Sequence, residues 1–163
     1  MMSDERTRLM QLFARSPLKQ PNDAVGFLLW RVAHRYQREI DRACAEIDLT
    51  HLQFAVLIIS AWLTHRDGPV IQADLARFSG IHPMQLSNVL KTLEEKGFVA
   101  RPRDGADARL KRITLTGNGV TKLEAALPLA MGAQTHFFAF DPELSDALQV
   151  VLSRIVQGWG DEA

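Results

Sequence analysis

Residues 70–97 read Val70-Ile-Gln-Ala-Asp-Leu-Ala-Arg-Phe-Ser-Gly-Ile-His-Pro-Met-Gln-Leu-Ser-Asn-Val-Leu-Lys-Thr-Leu-Glu-Glu-Lys-Gly97. Two helices and the turn between them can be read from this stretch. Ala73, Leu75, Ala76 and Phe78 give a short first helix an apolar side. Ser79-Gly80 closes it, because glycine enters a left-handed turn at little steric cost. Pro83 falls in the first turn of the next helix, where its missing N–H costs nothing. Leu86, Val89, Leu90 and Leu93 then recur at three- and four-residue steps and mark the inward face. The outward side carries Met84, Gln85, Ser87, Asn88 and Lys91.

A β-hairpin comes next along the chain. Gly97 ends the second helix and Phe98-Val99-Ala100-Arg101 reads as a strand. Residues 103–109, Arg-Asp-Gly-Ala-Asp-Ala-Arg, form a polar tip, and Leu110 to Leu115 alternates apolar with charged residues. Val70-Ile71 is a brief strand able to pair with this hairpin as a third strand. A helix-turn-helix joined to a hairpin with arginines at its tip is a winged helix. Its physical use is two-groove binding of duplex DNA, a helix in the major groove and an arginine in the minor. On the second helix Gln85 and Asn88 match adenine, Lys91 reaches phosphate or guanine, and His82, Met84 and Ser87 lie at the leading end. Arg101, Arg103 and Lys111 are candidate contacts to the DNA backbone.

The sequence resembles the MarR family of transcriptional regulators over roughly residues 49–119. The resemblance is carried by Leu49-Thr50, Gln53-Phe54 and Leu57, then Asp74-Leu75-Ala76, Leu86-Ser87, Leu90, Leu93-Glu94, Gly97, Val99 and Arg101. It continues in Asp107-Ala108-Arg109, Leu115-Thr116 and Gly119. It implies an obligate homodimer on palindromic DNA, usually a repressor released by a small ligand. It also implies that Arg109 enters the minor groove and that Asp107 orients it by an ion pair. A crevice taking aromatic acids or related anions is implied as well, with Trp30, Arg31, His34, His51, Phe54 and Arg77 as its walls. A larger thioester with a phosphate-bearing tail would call on Arg31, Arg35 and Arg38.

Length and charge agree with this reading. At 163 residues the chain is one domain or one compact unit with helical extensions. Net charge is zero, yet it is unevenly spread. Residues 72–122 hold nine Lys/Arg against five Asp/Glu, a net +4, while residues 123–163 hold one against six, a net −5. Phosphate contacts need only such a local positive face. No apolar run is long enough to span a bilayer, the charged start lacks a signal-peptide core, and the single Cys44 cannot form an internal disulfide. A cytoplasmic protein without cofactor is expected.

The flanks read as helices. Leu9, Met10, Leu12 and Phe13 form a patch on a polar leader that ends in a Pro17/Pro21 linker. A helix capped by Asp23 runs from near Ala24 to about Ile47, with one stripe through Val25, Leu28, Leu29, Val32, Tyr36, Ile40 and Ala43 and another face at Trp30 and His34. Thr50 caps the next helix, to about Thr64. Thr116 caps a long helix to about Phe138, in which Pro128 predicts a bend. Asp141-Pro142 opens a last helix to Trp159. The expected architecture is mainly α with a small β-wing. It comprises an arm and first dimerisation helix (1–48), a winged helix-turn-helix (49–116) and C-terminal dimerisation helices (117–163).

Other chemistries find little support. His34, His51, His65, His82 and His136 are scattered, so no metal site is expected. No phosphate loop, nucleophile elbow or His-Glu-x-x-His appears, so no enzyme is expected. Two alternatives remain at this point. One is redox sensing through Cys44, although nearby Glu46 would oppose a thiolate. The other is a winged-helix protein-interaction module that leaves DNA alone.

Overall fold

A computed structural model of the chain describes residues 2–18, 20–102, 112–138 and 141–158. It divides into two compact units, residues Met1–Gln37 and Arg38–Ala163.

The first unit begins with helix α1 (Met2–Arg15) and a 3-10 turn at Pro21–Asp23, and then the start of α2 (Val25–Ala43). Leu9, Met10, Leu12 and Phe13 on α1 are all exposed, as are Leu28, Leu29, Trp30 and Val32 on α2. The Asp23 carboxylate accepts from Gln20 N at 3.0 Å and Gln20 Nε2 at 3.2 Å. It therefore closes the 3-10 turn rather than capping α2, which opens at Val25, close to the start expected near Ala24.

In the second unit α2 ends at Ala43, short of Ile47. A 3-10 turn, Ala45–Ile47, comes after it, and Asp48 takes a left-handed φ of 53°. Helix α3 (His51–Asp67) opens on a capping box, with Gln53 N donating to Thr50 Oγ1 at 3.2 Å and Thr50 N to Gln53 Oε1 at 3.3 Å. Strand β1 (Val70–Ile71), helices α4 (Gln72–Ser79) and α5 (Pro83–Glu95), and strands β2 (Val99–Ala100) and β3 (Arg112–Leu115) make the winged head. The sheet order is β1-β3-β2, antiparallel throughout, with Val70 opposite Ile113 and Val99 opposite Leu115. The short Val70-Ile71 segment is thus the expected third strand, paired with β3. Leu110 and Lys111, expected at the start of the last strand, lie outside the described residues.

Helix α6 (Gly117–Phe138) carries Pro128 inside it, and α7 (Pro142–Gln157) is capped by Asp141, whose Oδ1 accepts from Leu144 N at 3.0 Å. Helix α3 is the hub of the core, packing against α4, α5, α6 and the sheet. Its Val56 and Leu57 are fully buried with Leu75, Leu86, Leu90, Leu93, Ile113 and Ala126. Burying one such leucine is worth about 1.5–3 kcal/mol over leaving it exposed. Leu86, Leu90 and Leu93 together therefore fix how α5 is rotated about its own axis. No helix among the described residues is long and apolar enough to cross a membrane.

Candidate nucleic-acid interface

With its leucines inward, α5 must present its other side to solvent. Met84, Gln85, Asn88 and Lys91 are exposed, and Ser87 is half-buried at the edge of that face. His82 caps the helix: its Nδ1 accepts from Met84 N at 3.3 Å, so part of its hydrogen-bonding capacity is spent at the leading end. Lys91 leans toward Glu95, one turn on, at 3.8 Å, a loose pair with both side chains mostly in water. Of the recognition-helix candidates, His82, Met84, Gln85, Asn88 and Lys91 all reach solvent on one short helix.

The end of α5 is tied down more firmly than the sequence implied. Gly97 adopts φ 72°, and Gly97 N and Phe98 N donate to Glu94 O and Leu93 O, each at 2.9 Å. That double bond to the last turn is a Schellman closure. Glu94 also takes two donors from Arg101, Nε at 2.9 Å and Nη2 at 2.5 Å, which holds its carboxyl below the usual range. Arg101, expected to reach the DNA backbone, is thus engaged within the head and its side chain is only 20% exposed. Arg103, Asp107, Arg109 and Lys111, the wing-tip candidates, lie outside the described residues.

Two lysines staple the helix junction behind this face. Lys96 Nζ donates to Asp48 O at 2.7 Å and Gln53 Oε1 at 3.3 Å, and pairs with the Asp48 carboxylate at 2.9 Å. Lys122 Nζ donates to Ile47 O at 3.0 Å. These contacts take up the carbonyls of Ile47 and Asp48, at the end of the 3-10 turn that follows α2. Lys96, Asp48 and Lys122 were not singled out from sequence, and Glu94 only as part of the family resemblance. The pairing of Glu94 with Arg101 could have been anticipated, as opposite charges flanking a glycine turn; Lys96 and Lys122 carry no local signal.

The expected effector residues divide between the units. In the first, Trp30 is exposed, stacks on Phe27 at 5.8 Å and meets His34 edge-on at 4.6 Å. Arg31 Nη1 donates to Asn22 Oδ1 at 2.7 Å. In the second, His51 is half-buried and its backbone N donates to Asp41 Oδ1 at 2.6 Å, while Phe54 is half-buried one turn on. Burial lowers the His51 pKa, with Asp41 partly opposing. Arg77 pairs with Asp74 at 3.1 Å on the rim of an open cavity of about 150 Å³ lined also by Arg66, Asp67 and Phe78. Cys44 is fully buried, and burial together with the nearby Asp41 charge pushes its thiol up, which opposes thiolate chemistry. Among the described residues no three His, Cys, Asp or Glu side chains gather as a metal would need.

Comparison with known proteins agrees with this geometry. The MarR family model matches residues 49–111. The chain is 40% identical over 124 residues to the uncharacterized HTH-type transcriptional regulator YdcH of Bacillus subtilis, covering 76% of this chain and 84% of that one. It is 30% identical over 115 residues to the HTH-type transcriptional repressor Rv2887 of Mycobacterium tuberculosis, covering 71% and 80%. The structure of Rv2887 in complex with DNA superposes with a TM-score of 0.61 at 25% identity, over 81% of this chain and 97% of that chain. The same protein has been solved with p-aminosalicylic acid and with salicylic acid. CouR of Rhodococcus jostii RHA1, bound to p-coumaroyl-CoA, superposes with a TM-score of 0.70 at 26% identity, over 85% and 95%. With the ordered motifs, the three-stranded wing and a relative this similar over most of both chains, the protein belongs to the MarR family of winged-helix transcriptional regulators.

Proposed function

We propose that the chain is a homodimeric repressor that binds a palindromic operator and is released by a small aromatic acid or its coenzyme A thioester. The observation that carries the DNA part is α5: a helix with three fully buried leucines and, opposite them, Met84, Gln85, Asn88 and Lys91 in solvent. Gln85 and Asn88 would read adenine edges and Lys91 a phosphate or guanine, with Arg109 entering the minor groove. That Rv2887 has been solved in complex with DNA supports DNA binding as the role of this fold here. A regulator of this kind works in the cytoplasm, where the chromosome lies.

The aromatic ligands of Rv2887 and CouR support the effector class. Within the first unit Trp30 and His34 supply rings and Arg31 a guanidinium; within the second Phe54 supplies a ring and Arg77 a guanidinium suited to a carboxylate. Ligand binding would move the two recognition helices of the dimer off the roughly 34–36 Å spacing of B-DNA half-sites.

The test is a salt titration of affinity for a duplex selected by the protein, with and without salicylate, p-coumarate and p-coumaroyl-CoA. A steep linear fall of log affinity with log salt, and release by one of the three, is expected. Arg109→Ala should cost about 1–3 kcal/mol of binding at fixed salt. Flat salt dependence would leave a winged-helix interaction module instead.

A further inference from the structure

Arg101 sits where the chain leaves β2 for the wing tip, and its guanidinium is turned back onto the last turn of α5. Nε and Nη2 both donate to Glu94 Oε2, at 2.9 and 2.5 Å. Its side chain is 20% exposed, against 71% for Lys91 on the outward face of α5. A group that must neutralise a phosphate needs to reach it. Lys91 can do so, and Arg101 is held.

The pair also closes a rigid frame. The residues between Glu94 and Arg101 are fixed at three further points: the Schellman bonds of Gly97 and Phe98, Thr116 N donating to Phe98 O at 3.1 Å, and Thr116 Oγ1 donating to Gly97 O at 2.6 Å. Everything on the helix side of Arg101 is therefore anchored, and among the described residues Arg101 is the last anchor before the tip.

We propose that Arg101 is a positioning residue: through Glu94 it locks the base of the wing to the end of the recognition helix and so sets the angle between the two DNA-reading elements, without contacting a phosphate. This rests on the DNA-binding reading above. A guanidinium fork on one carboxylate oxygen fixes direction in a way a lysine cannot reproduce. The depressed Glu94 pKa is the electrostatic trace of the same contact, with the hydrogen bonds from Arg101 as its largest cause.

The experiment compares Glu94→Gln, Arg101→Gln, the double variant and the charge swap Glu94→Arg/Arg101→Glu with wild type. Affinity is measured for a duplex selected by the wild-type protein and for a random duplex, each across salt, and folding is checked by thermal melting. Each single variant should lose specific affinity by about tenfold, in the range of couplings between contacting residues, and the double variant should lose no more than either. Random-duplex affinity and the salt slope should stay at wild-type values, and the swap should recover most of the loss. A phosphate contact would instead shallow the slope by about one for Arg101→Gln and leave Glu94→Gln near wild type, which overturns the proposal. So would equal losses on both duplexes with a lowered melting point, the mark of a merely structural pair. Wild-type protein that binds neither duplex in a salt-dependent way would remove the DNA-binding reading itself.

Discussion

Gly119 shows how one residue can join two elements. A Cβ built on it would run into Phe98 O and lie 2.9 Å from Phe98 C, both backbone atoms that cannot swing aside. Thr116 Oγ1 accepts from Gly119 N at 3.0 Å, so the first turn of α6 is pressed against the base of the wing. Gly119→Ala should therefore lose about 2–3 kcal/mol in urea denaturation, an overpacking cost rather than the gain expected of alanine in an open helix; a variant as stable as wild type would mean the two backbones separate freely. His51 supplies a pH dependence. Burial lowers its folded pKa below the unfolded value of 6.5. Between the two values the unfolded chain binds more protons, so stability rises with pH. This contribution is complete above 6.5 and is lost as the pH falls through the folded value. Urea midpoints should drop as the pH falls below the unfolded value of 6.5, and His51→Gln should flatten the drop. The depressed carboxyls of Asp48 and Glu94 act lower, losing their contributions only below the ordinary carboxylate range.

At the scale of elements, the junction between α2 and α3 is held from outside. Its carbonyls at Ile47 and Asp48 are taken by Lys122 and Lys96, from α6 and from the C-cap of α5. Lys96 is only 23% exposed, whereas both partners of the Lys91–Glu95 pair are more than 60% exposed. Exposed ion pairs contribute little, while a sheltered donor holding a carbonyl contributes more. Lys96→Met should lower the melting temperature by about 2–4 °C, and Lys91→Met by much less; equal shifts would show that the junction does not depend on the staple. The helix-turn-helix itself is legible in the sequence. Its two helices end close to where Gly80, Pro83 and Gly97 place them, because caps and helical periodicity are local. The 3-10 turn after Ala43 is not legible there, and neither are the two lysines, remote along the chain, that bond the junction's carbonyls.

The molecule as a whole leaves apolar faces in water. On α7, Leu144, Val151 and Ile155 succeed one another at helical steps and are about half exposed, as are Val150 and Val156. On α6, Leu127, Leu129 and Met131 are exposed too. Apolar patches of this kind mark association surfaces, and a closed two-fold dimer is the simplest assembly to bury them. Scattering should give twice the chain mass. Ile155→Asp with Val151→Asp should yield a monomer with sharply weaker operator binding; a double variant that stays dimeric would move the interface elsewhere. The order of the helices and the outward face of α5 were legible from sequence, because each depends on residues a few positions apart; the third strand was legible as a strand, while its pairing of Val70 with Ile113 is long-range. The tertiary structure alone decided that Arg101 turns to Glu94, seven residues back, that Lys96 reaches Asp48 across 48 positions and Lys122 reaches Ile47 across 75, and that Gly119 touches Phe98. Periodicity tells a side chain which way to face; only the packed core determines what it meets there.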